Sequence, residues 1–150
     1  MDWDRRRASS VLLVATCLAL GSVALACAPI VLEPASTMVE RKNIVRITVG
    51  KVSRDVLEFQ IENLSKEPIV VMKGEIVVET YFGTMRHPPG SKAPNVEIAP
   101  GAKETIALRF TAKGLERGDE FLVHFDDAIR LKGQPVALDP VIYYVARSRV

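Results

Sequence analysis

The sequence has little cysteine and little tryptophan, which limits the ways in which the chain can be held together. Of its 150 residues, two are cysteines and one is tryptophan. Cys17 and Trp3 both lie near the N-terminus, so only Cys27 stays if that segment is removed. A disulfide framework is therefore excluded for the remaining chain, because a lone cysteine has no intramolecular partner.

Blocks of like charge and long amphipathic helical patterns are also absent from the sequence. The net charge is +2, with 25% charged residues interspersed along the chain. A protein that binds nucleic acid electrostatically needs a concentrated basic face, so no nucleic-acid partner is expected. Beyond the N-terminus, no segment of helical length places its apolar residues at helical spacing, and we expect no long helix in the folded domain.

The first thirty residues have the three zones of an export signal. Arg5–Arg7 supply positive charge, the segment 11–20 (VLLVATCLAL) is apolar, and small residues follow in Ala24–Ala26. This order predicts a signal peptide over residues 1–26. A retained transmembrane helix is the alternative, because residues 11–32 carry no charge and about 20 apolar residues suffice to cross a bilayer. Either segment would export the rest of the chain.

Cys27 follows these small residues directly. The sequence Ala24-Leu25-Ala26-Cys27 resembles the signal of bacterial lipoproteins, in which a small residue precedes a cysteine that receives diacylglycerol and becomes the new N-terminus. The match departs from that signal at Ala24, where leucine is usual, and at Leu25, where a smaller residue is preferred. The resemblance implies lipidation of Cys27 and a membrane-anchored protein facing the periplasm or the cell exterior. Cleavage after Ala26 by an ordinary signal peptidase is the alternative.

Beyond the signal, we expect an irregular lead-in or tether over residues 27–42 and a folded domain over residues 43–150. The lead-in contains Pro29 and Pro34 and has no clear period. Alternation of apolar and polar residues then begins, which is the pattern of half-buried strands. The predicted strands are Asn43–Val52, Val56–Asn63, Ile69–Met72, Glu75–Phe82, Asn95–Ile98, Lys103–Thr111, Glu120–Asp126 and Val136–Ala146. The third and fourth are either two strands or one strand broken by a bulge at Gly74.

Short strands separated by turns about every ten residues are typical of an immunoglobulin-like β-sandwich. We therefore predict an all-β, antiparallel sandwich of about seven strands. The paired cysteines and core tryptophan of antibody domains are missing, so the resemblance is to this architecture and to no single family. Pro140 predicts an edge position or a bulge for the last strand. There, Tyr143 and Tyr144 would either support strand addition by a partner or complete the core.

One predicted loop combines side chains that soft metals prefer. Residues 83–94 (GTMRHPPGSKAP) hold Met85 and His87 two positions apart. Thioether and imidazole donors suit Cu(I), and exported β-sandwiches include copper chaperones. Because the defined His/Met spacing of those chaperones is absent, a periplasmic copper-binding protein using Met85 and His87 is the second hypothesis. Further candidate ligands are Met38, Met72 and His124.

Catalytic patterns are missing from the sequence. Neither of the two histidines has a serine in a nucleophile motif nearby. The acidic pairs Asp119-Glu120 and Asp126-Asp127 lack the ligand at every second residue that calcium loops show. We therefore predict that the protein is not an enzyme and that it needs no cofactor.

The first hypothesis is a binding or structural accessory protein of the bacterial envelope, with an envelope protein as its partner. The most unusual surface segment is the loop over residues 83–94. Pro88-Pro89 stiffen it, and Arg86, His87 and Lys92 make it basic. Loops on a rigid scaffold often carry function, so this segment is the predicted partner-binding loop.

Overall fold

A computed structural model describes residues 31–53, 55–86, 94–110 and 114–146, with no side-chain description for residues 84–86. Within these ranges the chain forms thirteen short β-strands and one 3-10 helix, Lys73–Glu75. The strands are β1 (Val31–Pro34), β2 (Met38–Arg41), β3 (Val45–Val52), β4 (Val56–Asn63), β5 (Ile69–Val71), β6 (Val77–Thr80), β7 (Gly83–Arg86), β8 (Val96–Ile98), β9 (Lys103–Arg109), β10 (Glu120–His124), β11 (Ile129–Leu131), β12 (Gln134–Pro135) and β13 (Val141–Ala146).

The strands form three antiparallel sheets. Sheet 1 has the order β1-β13-β10-β6-β7, sheet 2 the order β2-β3-β4-β9 and sheet 3 the order β12-β11-β5-β8. The prediction of an all-β antiparallel sandwich is confirmed. The orders β3-β4-β9 and β7-β6-β10-β13 correspond to strands A-B-E and C′-C-F-G of immunoglobulin-like folds. β1 and β2 extend these two layers, and β5, β8, β11 and β12 form sheet 3, so the chain has more strands than the roughly seven predicted.

The core lies between sheets 1 and 2, where the alternating apolar residues of their strands meet. A run of aromatic rings connects the two layers. Phe121 and Tyr143 of sheet 1 stack at 5.0 Å between ring centroids, and Phe110 stacks on Phe121 at 4.6 Å. Phe59 of sheet 2 meets Tyr143 edge-on at 6.3 Å and Phe125 at 5.0 Å. Such pairs add specific ring contacts to the burial of apolar surface.

Asn63 is the single polar residue among the fully buried side chains of the described ranges. Its amide nitrogen donates to the carbonyl oxygens of Glu67 at 2.8 Å and Ile98 at 2.9 Å. Its side-chain oxygen accepts hydrogen bonds from the backbone N–H and the hydroxyl of Ser65, at 2.9 and 2.8 Å. Asn63 therefore links the end of β4, the turn that follows it and β8, with its hydrogen-bonding groups satisfied.

The prediction of an irregular lead-in over residues 27–42 is wrong for the part that the structure describes. β1 pairs with β13 in sheet 1, and β2 pairs with β3 in sheet 2. Leu32 is buried in the core, and this burial of an apolar side chain stabilises the segment as part of the sandwich. Proline has no N–H to donate to a neighbouring strand. Pro34 is tolerated in β1 because β1 is an edge strand with a neighbour on one side only.

The segment predicted as a loop over residues 83–94 begins with a strand. β7 pairs with β6, and Thr80 is opposite Gly83 across a two-residue turn. Gly83 has a φ of +132°, a conformation that glycine adopts readily. The prediction of a loop is therefore wrong for residues 83–86, while residues 87–93 lie outside the described ranges.

The last strand is also placed differently from the prediction. β13 lies between β1 and β10, so both of its edges are paired and it is not an edge strand. Pro140 precedes β13 and therefore removes no hydrogen bond from it. Strand addition at β13 is excluded by this pairing, and Tyr143 completes the core instead.

Two further strands, β11 and β12, have no counterpart in the prediction. β11 and β12 form a hairpin through Lys132 and Gly133, which have φ values of +51° and +77°. Strands of three and two residues are too short to show alternation.

Candidate functional site

The residues predicted to form a site fall mostly at or beyond the limits of the described structure. Cys27, His87 and Lys92 lie outside the described ranges. Met85 and Arg86 belong to β7, where they are opposite Val78 and Val77 of β6. The lipid anchor, the Met85/His87 copper site and the basic partner-binding loop therefore stay predictions.

The further candidate copper ligands lie in separate parts of the fold. Met38 is on β2 of sheet 2, and Met72 precedes the 3-10 helix. His124, on β10 of sheet 1, has its Nε2 atom 2.8 Å from a carboxylate oxygen of Glu79. Within the described ranges, no cluster of three or more histidine, cysteine, aspartate or glutamate residues is arranged to hold a metal ion.

The outer face of sheet 2 carries a row of paired charges. Arg46 of β3 is opposite Glu40 of β2 and Glu62 of β4, and it contacts their carboxylates at 2.8 and 3.2 Å. Lys103 of β9 reaches the other oxygen of Glu62 at 3.5 Å. The hydrogen bond to Glu40 and the negative charges on both sides raise the pKa of Arg46. Each charge in this row therefore has a partner of opposite sign on a neighbouring strand, and the row needs no counter-charge from a binding partner.

The outer face of sheet 1 has a different composition. On β10 and β13, residues alternate between the core and solvent, so that Leu122, Ile142 and Tyr144 point outward. Leu122 is directly opposite Ile142, and Tyr144 is 43% exposed. Val31 of β1 lies on the same outer face and is also exposed. We call these four residues the apolar face.

Carboxylates flank the apolar face. Tyr144 of β13 has Glu33 of β1 opposite it on one side and Glu120 of β10 on the other. Directly opposite residues have Cβ atoms about 4.5–5.5 Å apart, so both glutamate side chains begin next to that of Tyr144. Unlike Glu40 and Glu62 on sheet 2, Glu33 and Glu120 form no ion pair with any described residue.

A pair of aromatic residues forms the turn between β6 and β7. Tyr81 is 90% exposed and Phe82 is 70% exposed, and their rings meet edge-on with centroids 5.6 Å apart. The Thr80 hydroxyl organises the turn, since it accepts from the Phe82 N–H at 3.3 Å and donates to the Gly83 carbonyl at 3.1 Å. Two-residue hairpin turns favour small and polar residues, so this turn geometry does not account for the two aromatic side chains.

The core contains one buried hydroxyl without a described partner. Tyr143 is fully buried, and its Oη atom has no hydrogen-bond partner. Burial raises the pKa of Tyr143 above its ordinary value because the phenolate is poorly solvated there. No other titratable side chain contacts this hydroxyl among the described residues, so it offers no acid–base pair for chemistry.

The apolar face and the aromatic turn were both missed by the sequence analysis. A signal for the face exists in the runs Phe121-Leu122-Val123 and Val141–Val145, which are apolar at outward as well as inward positions. A strand with one solvated face should instead alternate. The sequence pattern places Tyr81 and Phe82 at the end of the predicted strand Glu75–Phe82, because aromatic residues favour strands.

Comparison with known proteins gives no family for this chain. Neither protein-family models nor curated protein sequences produce a match. In the part of the chain that the structure describes, no helix has the length and hydropathy needed to cross a membrane.

Proposed function

We propose that the protein is an exported, non-enzymatic accessory protein of the bacterial envelope that binds a basic protein partner through the outer face of sheet 1. Lipid attached to Cys27 holds it at the membrane. The observation that carries the binding proposal is the position of Tyr144 between Glu33 and Glu120, beside the apolar residues of a face that also carries the His124–Glu79 pair.

The chemistry of the partner follows from these side chains. An exposed tyrosine surrounded by apolar residues is typical of an energetically important position in protein interfaces. Two carboxylates without described cations beside Tyr144 attract a partner segment that carries lysine or arginine next to apolar residues. The row of charges on the outer face of sheet 2 does not attract such a segment, because Arg46 and Lys103 already neutralise the carboxylates there.

The anchor is tested by comparing the two cysteines of the chain. Cys27→Ser should abolish partitioning of the protein into the detergent phase of solubilised envelopes, because the acyl chains are lost. Cys17→Ser should leave partitioning unchanged, since Cys17 lies in the segment that is predicted to be removed. Continued partitioning of Cys27→Ser would contradict lipidation and favour a retained N-terminal helix.

The partner surface is tested by reversing charge. The double variant Glu33→Lys/Glu120→Lys should lose its partner. In native gel electrophoresis of mildly solubilised envelopes it should therefore migrate as a smaller species than the unsubstituted protein. Glu97→Lys is the control, because Glu97 is also exposed but lies on β8 of sheet 3. Unchanged migration of the double variant, or the same loss in the control, would contradict the proposed surface.

A further inference from the structure

We propose that the aromatic pair Tyr81 and Phe82 inserts into the lipid–water interface of the membrane that holds the protein. The ligand of this second surface is the bilayer itself, at the depth of the lipid headgroups. The inference rests on the proposed anchoring, because the anchor brings the part of the domain that carries Tyr81 and Phe82 to a bilayer.

The topology of sheet 1 places the aromatic pair at the end where the described chain begins. β1 starts at Val31, opposite Ala146 at the end of β13. β10 starts at Glu120, and β6 ends at Thr80, which is opposite Phe121. The start of β1, the end of β13, the start of β10 and the turn after β6 therefore share one end of the sheet, which we call the proximal end.

The chain before Val31 is too short to hold the proximal end far from a bilayer. Four residue steps separate Cys27 from Val31, and an extended chain covers at most about 3.6 Å per residue. A lipidated Cys27 thus lies within about 14 Å of the start of β1. The polar interface on each side of a bilayer is about 5–7 Å deep, so the proximal end comes close to the headgroups.

Exposed apolar side chains are concentrated at this end. Tyr81 and Phe82 are the two most exposed of the five large hydrophobic residues that are exposed in the described ranges. Tyrosine is enriched at membrane interfaces because its ring is apolar and its hydroxyl is polar. Tyr144 is also exposed, but the carboxylates of Glu33 and Glu120 beside it favour a protein partner over lipid.

The turn presents its two rings as a firm unit. The Phe82 ring lies near Gly114, since a Cβ added to Gly114 would be 3.9 Å from the ring. The Thr80 hydroxyl fixes the turn, and the edge-to-face contact holds the two rings together. Rings that are already ordered lose less conformational entropy when they enter the interface.

A single tryptophan placed at the turn measures its contact with lipid. In a Trp3→Phe background, Phe82→Trp makes the introduced residue the only tryptophan of the chain. Gln134→Trp is the matched control, because Gln134 is exposed on β12 of sheet 3. β10 begins at the proximal end, and the chain continues to β11 and β12 from its opposite end. Both full-length proteins are purified from membranes and reconstituted into phosphatidylethanolamine/phosphatidylglycerol vesicles with and without brominated acyl chains.

We expect the emission of Phe82→Trp to shift to shorter wavelength on reconstitution and to be quenched by the brominated lipids, while Gln134→Trp shows neither change. A protein that floats with the vesicles but leaves Phe82→Trp unquenched would overturn the insertion of the turn without affecting the anchor. A blue shift without bromine quenching would also overturn it, because it would assign the aromatic pair to a protein contact. A protein that does not float with the vesicles would contradict both the anchor and the insertion.

Discussion

The outer faces of sheets 1 and 2 are built on the same kind of strand but differ in what they present to solvent. On sheet 2, Arg46 bridges Glu40 and Glu62, so charges of opposite sign neutralise one another. On sheet 1, Tyr144 lies between Glu33 and Glu120, which have no described cation. Both faces cover the same core, so the difference between them has no evident role in folding.

This difference shows how a stable sandwich can reserve one surface for binding. The charged row on sheet 2 favours solvent and discourages association, since its charges have no need of a partner. Exposed apolar side chains that lie together mark interaction sites in soluble proteins, and on sheet 1 Val31 and Tyr144 are exposed beside the partly exposed Leu122 and Ile142. The physical distinction lies in whether the polar groups at the surface are already satisfied within the chain.

The largest expected effect comes from the interior, which both faces share. Asn63→Ala should lower the free energy of unfolding by about 3 kcal/mol, because the buried Ile98 carbonyl loses its donor and the hydrogen bonds from Asn63 to Glu67 and Ser65 are lost as well. Gln60→Ala, on the same strand but exposed on the face of sheet 2, should change it by less than about 0.5 kcal/mol. Urea denaturation of both variants measures the difference, and equal losses would show that Asn63 does not hold the interior together.

The next effect concerns binding at the two faces. Tyr144→Ala should weaken the complex by roughly 2 kcal/mol, or about thirtyfold, if Tyr144 is a central contact of the partner surface. Met38→Ala is the control on sheet 2, because Met38 is 47% exposed and Tyr144 is 43% exposed. For each variant, native gel electrophoresis of solubilised envelopes over a range of dilutions measures the fraction of protein that remains in the complex. Equal weakening by both substitutions would remove the distinction between the faces.

A smaller effect distinguishes the inward tyrosine of β13 from its outward neighbour. Tyr143→Phe should be neutral or stabilising by up to about 1 kcal/mol, because its hydroxyl has no described partner. Since burial raises the pKa of Tyr143 in the folded state, the unfolded state releases its proton first. Stability should therefore be independent of this group below about pH 10 and fall by up to about 1.4 kcal/mol per pH unit above it.

The Tyr143→Phe protein should lack this alkaline component of unfolding, and Tyr144→Phe should retain it. Chemical denaturation of the three proteins between pH 8 and about pH 11 provides the measurement. The same alkaline slope in Tyr143→Phe as in the unsubstituted protein would show that the slope comes from other groups and that burial does not raise the pKa of Tyr143.

The smallest effect is expected in the charged row of sheet 2. Arg46→Met removes contacts with two carboxylates, but the guanidinium is exposed to solvent and screened by it. We expect a slight loss of thermal stability at low salt that disappears as salt is added. A loss that is large and independent of salt would mean that this row stabilises the fold more than its exposure allows.

The fold could be predicted where a strand is long enough to alternate. Val56–Asn63 was predicted with the bounds that β4 has, because Leu57, Phe59 and Ile61 alternate with polar residues. β1 escaped prediction because its partner, β13, is distant along the chain and only that pairing explains the burial of Leu32. β11 and β12 are too short to carry a period.

The candidate surfaces were harder to predict than the strands. Alternation tells which side chains of one strand point outward, but it does not tell which outward side chains of different strands become neighbours. Glu33, Glu120 and Tyr144 come together only through the register of β1, β13 and β10. The aromatic turn required knowing that β6 ends at Thr80, one residue before Tyr81.

The difference between the two faces is tested most directly by site-specific crosslinking in living cells. The photoreactive amino acid p-benzoylphenylalanine replaces Tyr144 in one protein and Met38 in another, since these two side chains are similarly exposed on opposite sheets. We expect a crosslink to one basic envelope protein from position 144, its loss in the Glu33→Lys/Glu120→Lys variant, and no such product from position 38. Crosslinks of equal yield from both positions, or a product at position 144 that survives the charge reversal, would contradict the assignment of sheet 1 as the binding face.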